Sequence, residues 1–259
     1  MDTKNTQAAP LTPRELVRAT LEFRNTTGRV PRQMWVLPWA STHYGEAVAQ
    51  IDRDFSQDIT GVPPQFAVMP PVKGDPYAVG EYVDEWGCVF ENVAEGIIGE
   101  VKQPLVTQED WSDADKVHIP EELLSFDIDA ANAYCRGTDL FTVAGACPRP
   151  FEQLQFIRTT EELYMDLMDP PPKMLAFIEK MHDFYCRLVT KWCQTDVDGI
   201  QFMDDWGSQK SLLINPKLWE KMFKPLYADY IAIAKKHGKK TFMHSDGYTL
   251  DIYPHMIEL

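Results

Sequence analysis

Two short stretches concentrate the side chains of this chain that could do chemistry. The first, DGIQFMDDWGSQ at residues 198–209, is a mostly apolar run that stops at Asp204, Asp205 and Trp206 before Gly207, with Gln209 closing the segment. The second, KKTFMHSDG at residues 239–247, ends in His244, Ser245 and Asp246 before Gly247. Both read as strands whose polar groups gather at the C-terminal tip, where α/β folds place their sites. Side chains two apart on a strand project to one face, so His244 and Asp246 form a unit. An imidazole and a carboxylate on one face can ligate a metal, can act as an acid/base pair, or can simply hydrogen-bond at the strand end. Asp204 and Asp205 are adjacent and point to opposite faces of a regular strand. One of them can join that pair as a third ligand or acid/base partner, and alternation alone leaves the choice open.

The element between the two tips must return the chain along a sheet. Leu218, Met222, Leu226, Tyr227, Tyr230, Ile231 and Ala234 recur at three- and four-residue steps, which predicts a helix. Asn215 suits its N-cap, Pro216 its first position and Gly238 its C-terminal stop, while Pro225 should kink it. A strand, a helix and a second strand in this order make a parallel pair.

Further strands and helices extend the pattern. Thr12, Pro13 and Glu15 open a helix with a capping box, after a polar segment, residues 1–12, expected to be loose. Residues 34–39 read as a strand with an aromatic tip of Trp35 and Trp39, followed by His43, and Trp39 and His43 are candidate substrate-binding residues there. Residues 81–101 read as a pair of strands around Gly96. In that pair Asp84 and Trp86 share a face at a spacing of two, as a candidate catalytic acid and a substrate-binding aromatic, or as part of a hairpin turned to water. Residues 120–124, 128–135 and 152–157 carry helix signals, residues 140–146 a buried strand. The PPP triplet at 170–172 separates a short helix from a long one, whose cysteines, Cys186 and Cys193, read as packing.

Composition narrows the function. With 25 basic against 39 acidic residues, the formal charge of -14 argues against a nucleic-acid groove. Five scattered cysteines without a CxxC pair indicate neither a disulfide framework nor a zinc knuckle, and fit a reducing cytoplasm. No membrane-length apolar run occurs, so no membrane partner is expected. No GxGxxG or GxxxxGK follows the early strands, which removes the main support for a nucleotide-binding open sheet. The expected fold is therefore a (β/α)8 TIM-type barrel over residues 13–259. Only five or six strands can be placed, so it reads as truncated before its last strands.

The opening LTPRELVRATLEF, the DEWG turn, TTEELYMDLMDPPPKM, QFMDDWGSQ, INPKLWEKMFKPLY and FMHSDG together resemble the uroporphyrinogen decarboxylase superfamily, which includes cobalamin-dependent methyltransferases. The ordered pair of MDDWGS and HSDG is the most specific part. The resemblance implies a choice between two chemistries. The decarboxylase branch carries an FDSWGG-like segment, matched at Asp204, Trp206 and Gly207, and an RQAGR-like motif that pairs with substrate carboxylates. Here that region reads PRQMWVLPWA, with Arg32 and Gln33 but no AGR. The methyltransferase branch carries a zinc motif resembling HxCG, and this chain has His244 at the histidine position and Asp246 at the cysteine position. The resemblance thus implies a one-carbon transferase with zinc held by His244 and Asp246, working with a corrinoid supplied by a partner protein. Asp204 is favoured over Asp205 by its match to the motif, and Trp206 and Gln209 are candidate substrate contacts. The alternatives are porphyrinogen decarboxylation in tetrapyrrole biosynthesis, without a metal, and an inactive fragment.

Overall fold

The computed structural model describes residues 11–145 and 148–259. The polar first ten residues, the last residue of the 140–146 run and one of the five cysteines, Cys147, lie outside the described residues. In chain order the elements are α1 (Pro13–Leu21), α2 (Pro38–Asp54), β1 (Ile59–Gly61), β2 (Gly80–Val83), β3 (Val89–Asn92), β4 (Glu100–Val101), α3 (Ile128–Arg136) and β5 (Phe141–Val143). They continue with α4 (Pro150–Arg158), α5 (Thr160–Met168), α6 (Pro172–Cys193), β6 (Gly199–Met203), α7 (Pro216–Met222), α8 (Lys224–Lys236), β7 (Lys240–His244) and α9 (Tyr253–Glu258).

The chain is a mixed α/β protein built on a parallel sheet of order β1-β5-β6-β7. The tightest pairing is between β6 and β7, in register from Gly199 opposite Lys240 to Met203 opposite His244. A parallel strand inside such a sheet should be covered on both faces, and β6 meets this, with Ile200 and Phe202 fully covered on one face and the polar Gln201 nearly so on the other. Behind the sheet α6 and α8 pack together, their shared core including Met181, Phe184, Leu188, Tyr227 and Tyr230. The capping box of α1 forms as its sequence requires, with Thr12 and Glu15 each bonding the other's backbone N–H. At the opposite end from the strand tips, Asp198 accepts from the Thr142 backbone N–H and hydroxyl and pairs with Arg14 and Arg18 of α1, which anchors that helix to the sheet.

Several elements differ from their sequence reading. The barrel expectation is met only in its parallel sheet: four strands are hydrogen-bonded side by side, and among the described residues the sheet stays open at β1 and β7. Residues 34–37 pair with no strand among the described residues, and Pro38 starts α2 there, its fixed φ suiting the first helical turn. Trp39 and His43 consequently lie on a helix and not at a strand tip. The 81–101 segment is a three-stranded antiparallel meander, with β3 and β4 paired around Gly96 as expected and an additional tight turn at Asp84–Gly87 joining β2 to β3. Asp84 and Trp86 therefore share a turn, not a strand face. Residues 121–125 form a 3-10 turn. Pro225 does more than kink its helix: α7 ends before Phe223 and α8 begins after it.

Candidate metal centre and its cavity

Because β6 and β7 run parallel and in register, their C-terminal tips end side by side, and the turns that follow cross one another. The Asp204 N–H donates to the His244 carbonyl at 3.1 Å, the Trp206 N–H to Ser245 Oγ at 2.9 Å, and the Gly207 N–H to the Asp246 carbonyl at 3.1 Å. Gly207 and Gly247 meet back to back. A Cβ on Gly207 would lie 2.4 Å from Tyr248 N, and one on Gly247, whose φ is +77°, would lie 2.2 Å from Gly207 O. The glycine after each polar cluster is thus a packing requirement as well as a conformational one.

This crossing brings three ligand atoms together. Asp205, His244 and Asp246 each offer one atom within 4.8 Å of the others. His244 Nε2 stands 3.7 Å from Asp205 Oδ1 and 3.7 Å from Asp246 Oδ1. The Asp246 N–H donates to Asp205 Oδ1 at 2.8 Å, and the His244 ring leans on Trp35 at 4.7 Å between centroids. With metal bonds of about 2.0–2.2 Å, a tetrahedral ion holds adjacent ligand atoms about 3.3–3.6 Å apart. The two 3.7 Å separations fit a single ion with little closure, and one imidazole with two carboxylates is a donor set suited to zinc or a harder divalent cation.

Asp204 does not join this group, contrary to the motif-based expectation. It lies one residue past the end of β6 and is fully buried. Its carboxylate accepts the backbone N–H groups of Phe151 at 3.0 Å and Glu152 at 2.7 Å, at the N-terminus of α4, and the Tyr227 hydroxyl at 2.5 Å. Burial pushes its pKa up to about 7, against the pull of Tyr227 and the two amides. Trp206 extends the same network: its indole N–H donates to Tyr227 Oη at 3.1 Å and its ring stacks on Phe151 at 4.2 Å, leaving it fully buried. Trp206 is core, not a substrate contact.

A cavity of about 670 Å³ opens in front of the three-residue group. Asp205, His244 and Asp246 line one side of it, and Asp84, Glu85, Arg149 and Glu152 line it as well. Tyr82, Phe90 and Phe156 make an aromatic wall, with successive ring centroids 5.9 and 5.0 Å apart. A second cavity, of about 420 Å³, shares Glu85, Arg149 and Met203 with the first and is otherwise mainly apolar.

Asp84 reaches the cavity from the turn between β2 and β3, which it holds by accepting the N–H groups of Trp86 at 3.0 Å and Cys88 at 2.7 Å. Burial, then the neighbouring Glu85 charge, raise its pKa to about 6. Trp86 sits inward, 2 % exposed, edge-on to Phe184 and close to Tyr185, and borders only the smaller cavity. Trp39 and His43 stack on each other at 4.4 Å on the exposed face of α2, and Gln209 is exposed beyond the β6 tip. These three residues do not line either cavity.

Glu152 is a cavity residue that sequence reading does not select, and Trp35, from the aromatic tip expected at residues 34–39, lines the cavity as well. Glu152 carries no motif signal beyond its place in the first turn of α4. Its Oε2 is buried without a hydrogen bond, 3.6 Å from Arg149 Nη1. Burial lifts its pKa to about 6, Arg149 opposes the rise, and Asp205 and Asp246 add to it. Trp35 was visible as an aromatic, but its contact with His244 depends on how residues 34–37 fold over β7.

A parallel sheet with ionisable groups at adjacent strand tips, facing a cavity, defines a mixed α/β protein with its candidate site at the C-terminal strand ends. The chain belongs to the uroporphyrinogen decarboxylase (URO-D) family, whose model matches residues 84–259. Its fold is also similar to that of a methyltransferase from Methanosarcina mazei, with a TM-score of 0.61 and 15% identity, over 95% of this chain and 73% of that one. No curated protein matches the chain. Among the described residues no helix is long and apolar enough to cross a membrane.

Proposed function

We propose that the cavity is a metal-assisted methyl-transfer site, with a divalent ion such as zinc held by Asp205, His244 and Asp246 and a corrinoid brought by a partner protein. The observation that carries this reading is the convergence of those three ligand atoms within 4.8 Å on one wall of the cavity. The likeness in fold to a methyltransferase supports the same direction. When bound, the ion would lower the pKa of a thiol or hydroxyl acceptor, or polarise the group that leaves from a methyl donor.

The residues of the chain have distinct tasks in this scheme. His244 and the two carboxylates fix the ion at the strand tips, and the 2.8 Å bond from the Asp246 N–H holds Asp205 in place. Trp35 covers the imidazole and limits its rotation. Glu152, on the same cavity, is placed to take a proton from the acceptor or to give one to the leaving group as it departs. The tetrapyrrole alternative has less support. A substrate bearing many carboxylates would meet five cavity carboxylates, Asp84, Glu85, Glu152, Asp205 and Asp246, with Arg149 as the cavity's single guanidinium.

Zinc titration by calorimetry tests the reading. Wild type should bind one ion, and Asp205→Ala, His244→Ala and Asp246→Ala should each weaken binding by at least about ten-fold. Equal affinity in all four proteins would overturn it.

A further inference from the structure

The larger cavity combines two features that select for one kind of ligand. It is acidic: five carboxylates line it against one guanidinium and one imidazole. A divalent ion on Asp205, His244 and Asp246 would neutralise two of those charges and leave Asp84, Glu85 and Glu152 facing Arg149. The cavity is also aromatic. Tyr82, Phe90 and Phe156 form a continuous wall of mutually inclined rings, at 47° and 68° between successive planes, and Tyr77 and Trp35 extend the lining. Inclined rings present negative π-faces in more than one direction, which suits a diffuse cation, not a flat neutral ring.

Glu152 gives the charge a local focus. Its Oε2 is buried in the cavity lining with no hydrogen-bond partner, the nearest cation being Arg149 at 3.6 Å. A carboxylate charge held largely out of water has a desolvation cost, which a cationic ligand in the cavity would offset through charge alone. Phe156 lies one helical turn along α4 from Glu152, so an aromatic face and a carboxylate are carried by the same rigid element.

We propose that this cavity binds a small methylated ammonium cation, its methyl groups against the Tyr82, Phe90 and Phe156 wall and its charge balanced by Glu152, Asp84 and Glu85. The choice of a methylated ligand rests on the reading of the site as methyl-transferring, whereas the choice of a cation rests on the lining alone. Recognition of this kind needs no hydrogen bond from the ligand, because a quaternary nitrogen has none to offer. It therefore depends on rings and charge acting together.

Choline and its uncharged carbon isostere, 3,3-dimethyl-1-butanol, have nearly the same shape and separate these effects. Binding of each is measured by calorimetry to the full chain, metal-free and zinc-loaded, beside the zinc titration itself. Choline should bind at least about ten-fold more tightly than the isostere in both forms, and Phe156→Leu and Glu152→Gln should each remove most of that preference. Trp35→Leu, at a half-exposed position, provides an aromatic variant whose folding is not at stake. Its choline affinity should fall several-fold. Equal binding of choline and the isostere, or no choline binding by protein whose zinc titration is intact, would overturn the proposal while leaving the metal reading standing. Choline binding by protein that fails to bind zinc would uphold the cation site and overturn the metal reading.

Discussion

The backbone N–H of Asp246 donates to the carboxylate of Asp205 at 2.8 Å, across 41 residues of chain. This bond ties the turn after β7 to the tip of β6, and it fixes which of two adjacent aspartates stands beside His244. Its loss should be felt at the metal and hardly in the fold, since both residues are partly or largely exposed. Asp205→Asn keeps an acceptor for the Asp246 N–H but removes a negative ligand. Zinc affinity should fall by about ten-fold or more, with the melting temperature within a few degrees of wild type.

Gly207 and Gly247 should tolerate no side chain. A Cβ at Gly247 would sit 2.2 Å from Gly207 O, in a backbone conformation with φ of +77° that L-residues rarely adopt. Gly247→Ala should cost about 2–4 kcal/mol, from strain added to displacement of the crossing turns. It should also weaken zinc binding, because Asp246 and Asp205 are set by those turns. Urea unfolding and zinc calorimetry on the same variant measure both effects.

Asp204 predicts the opposite pattern. Asp204→Ala would leave the first two amides of α4 and the Tyr227 hydroxyl without their acceptor, all in a buried setting. The loss should be about 3 kcal/mol or more in urea unfolding. Under conditions where the variant is folded, its zinc affinity should match wild type. A large drop in zinc affinity with unchanged stability would show that Asp204 is a ligand after all.

Stability should also carry an unusual pH dependence. The Asp204 carboxyl is raised from 3.8 to about 7 in the folded chain, so between those values the folded state holds a proton that the unfolded state has released. Stability from this group is therefore greatest at acid pH and declines as pH rises from about 4 to about 7, by up to about 4 kcal/mol. Asp84 and Glu152, each raised to about 6, act in the same direction. Urea unfolding at pH 4.5 and 7.5 should show a smaller fall for Asp204→Asn than for wild type.

The sequence by itself determined the local elements that carry the site. The apolar run of β6, the capping box at Thr12 and the break at Pro170–Pro172 all follow from patterns within a few residues, where sterics act directly, whereas Asp246, past the end of β7, reaches His244 through the turn that follows the strand. Only the tertiary structure decided between Asp204 and Asp205. Alternation says that they face opposite ways, but which face is the cavity depends on α4, whose N-terminus takes Asp204 as its cap from more than 50 residues away. Trp206 and Trp86 looked like aromatic contacts because a tryptophan beside a polar cluster has the same sequence signature in a pocket or in a core. Packing against Phe151 and Phe184 settled both as interior. Which of the five or six expected strands would pair in one sheet was likewise beyond local reading, since strand pairing depends on partners far apart in sequence. Glu152 escaped notice for the same reason: nothing within its own helix distinguishes a solvated glutamate from one partly buried beside Arg149 in the wall of an acidic cavity.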